Sequence, residues 1–384
     1  MRLPRTALLT KLAVATAIVC LGASAIADPV RAEGAPSRQT TFDHRALAER
    51  ALEQHIRPGF ARLTRAFADL KSATAACAGN PAFDVAKLKP PFRDAAIAWG
   101  RVAHLTFGPL GAENRYDRIY FWIDRKGIGR RQIQRALRSK PDAYRDPAAL
   151  AKRSIAVQGL PAFERLITTT AAASTNGTNT EFHCAFLQTI AANLVNIASR
   201  IEREWSADGV WGKAWLSPGA DNPHFLNQRE TTFMLLRAIL VQIDRVRDVE
   251  LSRPIGMTAL RRKRSGPFRQ SGLTMPFLAA RLAGLRDLLE LGGLADGAEQ
   301  AANAGGDRAS RANARDAIAQ ARFELKFVAE LAAKLAADPS FSLDDTPERA
   351  VGLGFPLKAA RARIEDAFAA VTSLPVGFNA SDGD

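Results

Sequence analysis

FHCAFLQTIAANLVNIASRIEREW, residues 182–205, places apolar residues at Leu187, Ile190, Leu194, Ile197 and Ile201, in steps of three and four. An α-helix turns once every 3.6 residues, so these positions share one face. A strand would need them at every second position. The stretch therefore predicts a long amphipathic helix with a stripe that other helices must cover. The same spacing recurs at Phe233, Leu236, Leu240 and Ile243 within 226–250, and at Leu278, Leu282, Leu285 and Leu289 within 274–291. It recurs again at Leu325, Val328, Ala332 and Leu335 within 312–336. Further helices are predicted over 42–76, 91–107, 128–138, 147–157, 161–169 and 346–372, with Pro58 bending the first. Alternating, strand-like runs are scarce. The expected fold class is all-α, with two antiparallel helical-bundle halves.

Three segments interrupt the pattern. Residues 171–180 read as a polar loop. Residues 206–223 are rich in Gly and Pro and contain Trp211 and Trp215. Residues 292–310 are Ala/Gly-rich and read as a mobile connector. The middle break predicts an N-terminal bundle over 40–206 and a C-terminal bundle over 222–375. No repeat relates them.

The first 27 residues differ from the rest. Arg2, Arg5 and Lys11 precede the apolar run LAVATAIVCLGASAIA, which ends in the A-x-A site Ala25-Ile26-Ala27. This is the pattern of a secretory signal peptide. The run is short for a membrane anchor. Val19 is too large for lipoprotein processing at Cys20. No later stretch is long and apolar enough to span a bilayer, so a soluble periplasmic protein is expected.

The 384-residue chain has 53 Lys and Arg against 39 Asp and Glu, a formal charge of +14. Loss of the leader would leave about +11. An exported basic protein meets anionic envelope polymers before nucleic acid, and no nucleic-acid role is expected. The mature chain would hold two cysteines, Cys77 and Cys184. In an oxidising compartment they predict one disulfide, with two buried thiols as the alternative.

Common catalytic patterns are missing: no H-E-x-x-H, no P-loop, no G-x-S-x-G, no dinucleotide fingerprint. The histidines His44, His55, His104, His183 and His224 are scattered, and His104 reads as a packed residue. RYDRIYFWIDRKGIGRRQIQRAL, 115–137, mixes Tyr116, Tyr120, Phe121 and Trp122 with Asp117, Asp124 and many arginines. Such a mixture can stack bases and hold phosphates. It reads better as a buried aromatic corner with paired charges, with Lys126-Gly127-Ile128-Gly129 leading into a basic helix. The RRKR run at 261–264 reads as a solvated loop. In VQGLPAFERLI, 157–167, Gly159 breaks the chain, Pro161 suits a first helical turn, and Glu164 in that turn would favour the helix dipole.

Several linked segments resemble the imelysin-like family of bacterial envelope proteins. They are IRPGFARLTRAFADL; AWGRVAHLTFGPL followed by RIYFWIDRKGIGRRQIQ; SIAVQGLPAFERLI followed by HCAFLQTIAANLV; and RRKRSGPFRQSG leading into LAARLAGLRDLL. The resemblance covers about 40–375. It implies an all-α fold of two bundle halves, an exported location, and association with iron uptake or iron regulation. The family motif G-x-H-x-x-E, proposed as a metal site and tied to the peptidase label of some members, falls on Gly159-Leu160-Pro161-Ala162-Phe163-Glu164. Gly159 and Glu164 match it, but Pro161 occupies the histidine position. Proline has no ligand atom, and a lone glutamate is a weak first-row metal ligand. It also cannot supply the pair that metal-assisted hydrolysis needs.

The resulting expectation is a non-enzymatic periplasmic binding protein associated with iron or metal uptake. Its site would lie near 159–164 and the Asp124, Arg125 and Lys126 group, with Glu164 as the one candidate ligand for iron or another divalent metal. Its partners would be envelope iron-uptake components. The alternative is a binder of acidic envelope polysaccharide through the basic clusters at 125–138 and 261–264.

Overall fold

The apolar stripes become helices with their striped faces inward. Leu187, Ile190, Leu194, Ile197 and Ile201 are all buried, as are Leu278, Leu282, Leu285 and Leu289. The computed structural model describes residues 42–80, 83–168, 177–256, 265–304, 307–372 and 374. The leader, the 261–264 run and most of the 171–180 loop lie outside the described residues.

The helices are α1 (His44–Ala51), α2 (Arg57–Ala75), α3 (Lys89–Val102), α4 (Arg115–Ile119), α5 (Ile128–Ser139), α6 (Pro147–Ala151), α7 (Leu160–Thr168), α8 (Gly177–Trp205), α9 (Val210–Leu216), α10 (Gln228–Asp244), α11 (Ser252–Ile255), α12 (Thr274–Glu290), α13 (Leu294–Ala304), α14 (Arg308–Ala337) and α15 (Gly354–Thr372). No strand occurs among the described residues. The fold is all-α.

Packing runs in a circuit. Helix α2 lies on α8 and α3, α3 on α12, α12 on α14, and α14 on α15. Helix α15 then meets α10, and α10 meets α1, which leads back into α2. One buried apolar cluster extends from Phe42 to Val371. Close approach of α3 and α12 depends on Gly284, where an added Cβ would sit 2.5 Å from the Arg101 carbonyl oxygen.

Two of the breaks contain helices. The 292–310 segment is not simply a connector, because Leu294–Ala304 is helical and buries Leu294, Ala295, Ala298, Ala301 and Ala302. Alanine is the best helix former, and its small side chain permits close packing. Arg322 also donates to Glu299 at 2.6 Å and pairs with Asp296, tying this helix to α14. The Gly/Pro-rich 206–223 segment contains α9, where Trp215 is fully buried and its indole N–H donates to the Ala48 carbonyl at 2.9 Å. Trp215 stacks on Phe107 at 5.3 Å between ring centres.

Cys77, just beyond α2, is disulfide-bonded to Cys184 on α8, with Cα atoms 5.6 Å apart and a sequence separation of 107. In the chain-entropy view, closing a loop of this size stabilises the fold by about 4–5 kcal/mol. Among the described residues, no helix is long and apolar enough to cross a membrane.

The helical run from α1 to α2 is continuous, but Leu52–Ile56 is wound as a π-helix. Pro58 accounts for it. Proline offers no N–H to the carbonyl four residues earlier, and its ring crowds that carbonyl. A second π segment, Arg245–Leu251, follows α10 and stands in the same relation to Pro254. Each places a polar group in the interior: His55 in the first, Glu250 in the second. His55 Nε2 lies 2.7 Å from His104 Nε2, so one ring donates and the other accepts. His104 is thus a packed histidine, as its sequence setting implies.

Burial lowers both imidazole pKa values, His55 to about 4 and His104 well below its ordinary value. The Asp287 charge partly offsets the shift at His55, while Arg62 and Arg101 add to it. His55 and Arg281 add to the shift at His104. An unfolded histidine takes a proton near pH 6.5, and the folded pair refuses it. Stability is therefore full above pH 6.5 and falls between 6.5 and about 4, by up to about 1.4 kcal/mol per pH unit for each ring. Urea unfolding followed from pH 7.5 to pH 4.5 should show this slope. It should flatten in a His55→Gln, His104→Gln double variant, and equal slopes in the two proteins would refute the assignment.

Candidate functional site

Helix α7 starts at Leu160, and the Gly159 carbonyl accepts from the Ala162 and Phe163 amides at 3.0 and 3.1 Å. Pro161 sits in the first turn, where a missing N–H leaves nothing unpaired. Gly159 is required by its neighbours: a Cβ there would lie 2.3 Å from the Ile119 carbonyl oxygen and 2.6 Å from that of Arg118.

Glu164 is not the helix-dipole residue expected. The first turn of α7 contains no acidic residue, and Glu164 lies beyond it, buried. Its Oε1 accepts from the Ser271 backbone N–H at 2.8 Å and lies 2.8 Å from Ser271 Oγ. Burial raises its carboxyl pKa, against the lowering effect of the Ser271 hydrogen bonds and of Arg165. The glutamate thereby ties α7 to the loop preceding α12.

That tie forms one wall of a cleft of about 300 Å³. The segment Trp122–Arg125 forms a second wall, and Arg253 of α11 contributes to a third. Of the residues singled out in the sequence, Asp124, Arg125, Pro161 and Glu164 line this cleft, while Lys126 and Gly159 do not. Asp124 is occupied as a cap: Oδ1 accepts from Ile128 N–H at 2.6 Å and Oδ2 from Gly129 N–H at 2.9 Å. These are the first amides of α5, where a carboxylate also favours the dipole. Lys126 is exposed, and its carbonyl accepts from Arg131.

The aromatic corner stands behind this wall. Tyr120 packs 6.0 Å from Trp122, 5.4 Å from Phe268 and 5.4 Å from Phe277, measured between ring centres. Burial raises the pKa values of both Tyr116 and Tyr120. Arg245 lies over the Tyr116 ring at 5.6 Å and donates to the Trp122 carbonyl at 3.2 Å. Tyr120 is fully buried among these rings, while Trp122 is half-buried and lines the cleft.

Several lining residues were not anticipated. Arg165, Arg253, Arg269 and Gln270 line the cleft, and Ser271 holds Glu164 from behind it. Ser271 is 107 residues from Glu164, and no periodicity links positions that far apart. A metal would need more donors than the cleft supplies. None of the five histidines lines it, and no group of three or more His, Cys, Asp or Glu side chains is placed to hold a metal ion among the described residues.

Residues 56–374 match the family model described as imelysin, which also carries the label peptidase M75. The chain belongs to the imelysin family. Among solved structures it is similar to an imelysin-like protein from Psychrobacter arcticum, at 16% identity and a TM-score of 0.66, covering 87% of this chain and 97% of that one. It is also similar to a protein from Parabacteroides distasonis assigned as an iron-regulated protein A precursor, at 10% identity and a TM-score of 0.65, covering 88% and 97%. At these identities the likeness establishes the fold. No curated protein matches the sequence.

Gly159→Ala drives a methyl group into two carbonyl oxygens, so it should cost about 2–4 kcal/mol of unfolding free energy. Ser271→Ala removes a hydroxyl but leaves the backbone donor, and should cost about 1 kcal/mol. Denaturant unfolding of both variants checks the order. A Gly159→Ala protein as stable as the parent would show that the α7 entry is not sterically fixed.

Proposed function

We propose that this imelysin-family chain is an exported binding protein of the cell envelope that serves iron or metal uptake and has no peptidase activity. The observation that carries the second half is the state of Glu164. It is the one acidic position retained from the motif, and its Oε1 is engaged by Ser271. The neighbouring motif position is Pro161, which has no donor atom. Metal-assisted peptide hydrolysis needs a metal with an open position and a base beside it, and the residues lining the cleft do not fit that arrangement.

The envelope and iron links have other support. The sequence begins with a leader pattern, and the Cys77–Cys184 disulfide suits an oxidising compartment. One structural neighbour carries an iron-regulated name. A second reading, binding of an acidic polymer, is favoured by one feature: α5 exposes Arg130, Arg131, Arg135 and Arg138. It requires binding that collapses as salt rises.

Deleting the protein from its native cell should lower cell-associated iron and slow growth under iron restriction. The purified protein should cleave no denatured protein substrate, with or without chelator. Unchanged iron content in the deletion strain would sink the uptake role. Chelator-sensitive cleavage that disappears in Glu164→Ala would sink the non-enzymatic reading.

A further inference from the structure

The cleft has a charge pattern that a bare-cation site would not use. Four guanidinium groups line it, Arg125, Arg165, Arg253 and Arg269, against two carboxylates, Asp124 and Glu164. Asp124 spends both oxygens on α5 amides, and Glu164 Oε1 is engaged by Ser271. Arg269 Nε donates to Asp344 at 2.7 Å. Arg165 has Asp124 and Glu164 as its favourable electrostatic neighbours, and burial is the main influence lowering its pKa. Arg125 and Arg253 make no ion pair and no side-chain hydrogen bond among the described residues.

Arg253 is half-buried and follows Ser252 in α11, between the second π segment and Pro254. Withdrawing a guanidinium from water without giving it an anion is costly. Its planar fork also matches the paired oxygens of a carboxylate or phosphate. A cavity of about 300 Å³ is at the lower end of the range for small-ligand sites.

We propose that this cleft binds a small anion rich in carboxylate or phosphate oxygens, and that metal reaches the protein as the anionic complex of such a ligand. The first half stands on the cleft alone. The second half rests on the metal-uptake function proposed above.

Calorimetric titration of the purified protein with citrate, inorganic phosphate, ferric citrate, and ferrous and zinc ions tests both halves. Citrate or phosphate should bind saturably, and which of them binds identifies the anion class. Affinity should fall at least tenfold in an Arg125→Gln, Arg253→Gln double variant. Neither side chain has a partner to lose among the described residues, so the variant should unfold at a temperature no lower than that of the parent. Ferric citrate should bind at least as tightly as citrate. Failure of both anions, or anion binding untouched by the double variant, overturns the site. Binding of free cations without either anion overturns the site and leaves the metal-uptake reading standing. Binding of citrate with exclusion of ferric citrate upholds the anion site and overturns the second half.

Discussion

The buried pair Glu250–Arg281 organises the middle of the molecule. Both side chains are withdrawn from water, and Arg281 Nε donates to Glu250 Oε2 at 3.1 Å. Gln242 Oε1 accepts from Arg281 Nη2 at 2.5 Å, and Arg245 Nε donates to the other Glu250 oxygen at 3.3 Å. A buried charge without its partner costs several kcal/mol, so the two elements must meet in one register. The π segment after α10 provides that register. The pair therefore ties the α10–α11 region to α12, which also packs against α3 and α14.

The cleft inherits its geometry from that pair. Arg245, held by Glu250, reaches the Trp122 carbonyl and so fixes the segment leading to Asp124. Asp124 then caps α5, while Glu164 draws in the Ser271 loop on the opposite side. The two carboxylates shape the walls, and the arginines supply the charge. Glu164 thus serves the architecture of the cleft, holding the Ser271 loop against α7.

The helices were legible because burial imposes a period on the chain. The stripes in α8, α12 and α14 announced themselves through residues such as Leu194, Leu285 and Val328, all buried. The π segments were not legible as such, although Pro58 marked where the first helix would be disturbed. The helix at Leu294–Ala304 was missed because alanine and glycine richness reads equally well as a connector. Its burial depends on tertiary contacts with α14 that no local pattern announces. At the cleft, family position and local charge singled out Asp124, Arg125, Lys126 and Glu164, of which all but Lys126 line it. Arg253 and Ser271 come together with them only after long excursions of the chain, and the sequence gives no period for that.

Glu164 illustrates how one side chain can satisfy two local grammars. Its spacing from Gly159 fits a ligand motif, and its place near a proline-started helix fits a dipole role. Distance decides against the second, since the residue lies beyond the first turn and is buried. Donor count weighs against the first. A metal ion needs several lone pairs converging on one point, whereas Glu164 gives Oε1 to Ser271 and has Arg165 as its charged neighbour. Electrostatics in a partly enclosed cleft favours whichever ligand sign offsets the surplus there, and the surplus is guanidinium. With Pro161 offering no donor atom and Glu164 engaged by Ser271, the cleft's chemistry is that of arginine.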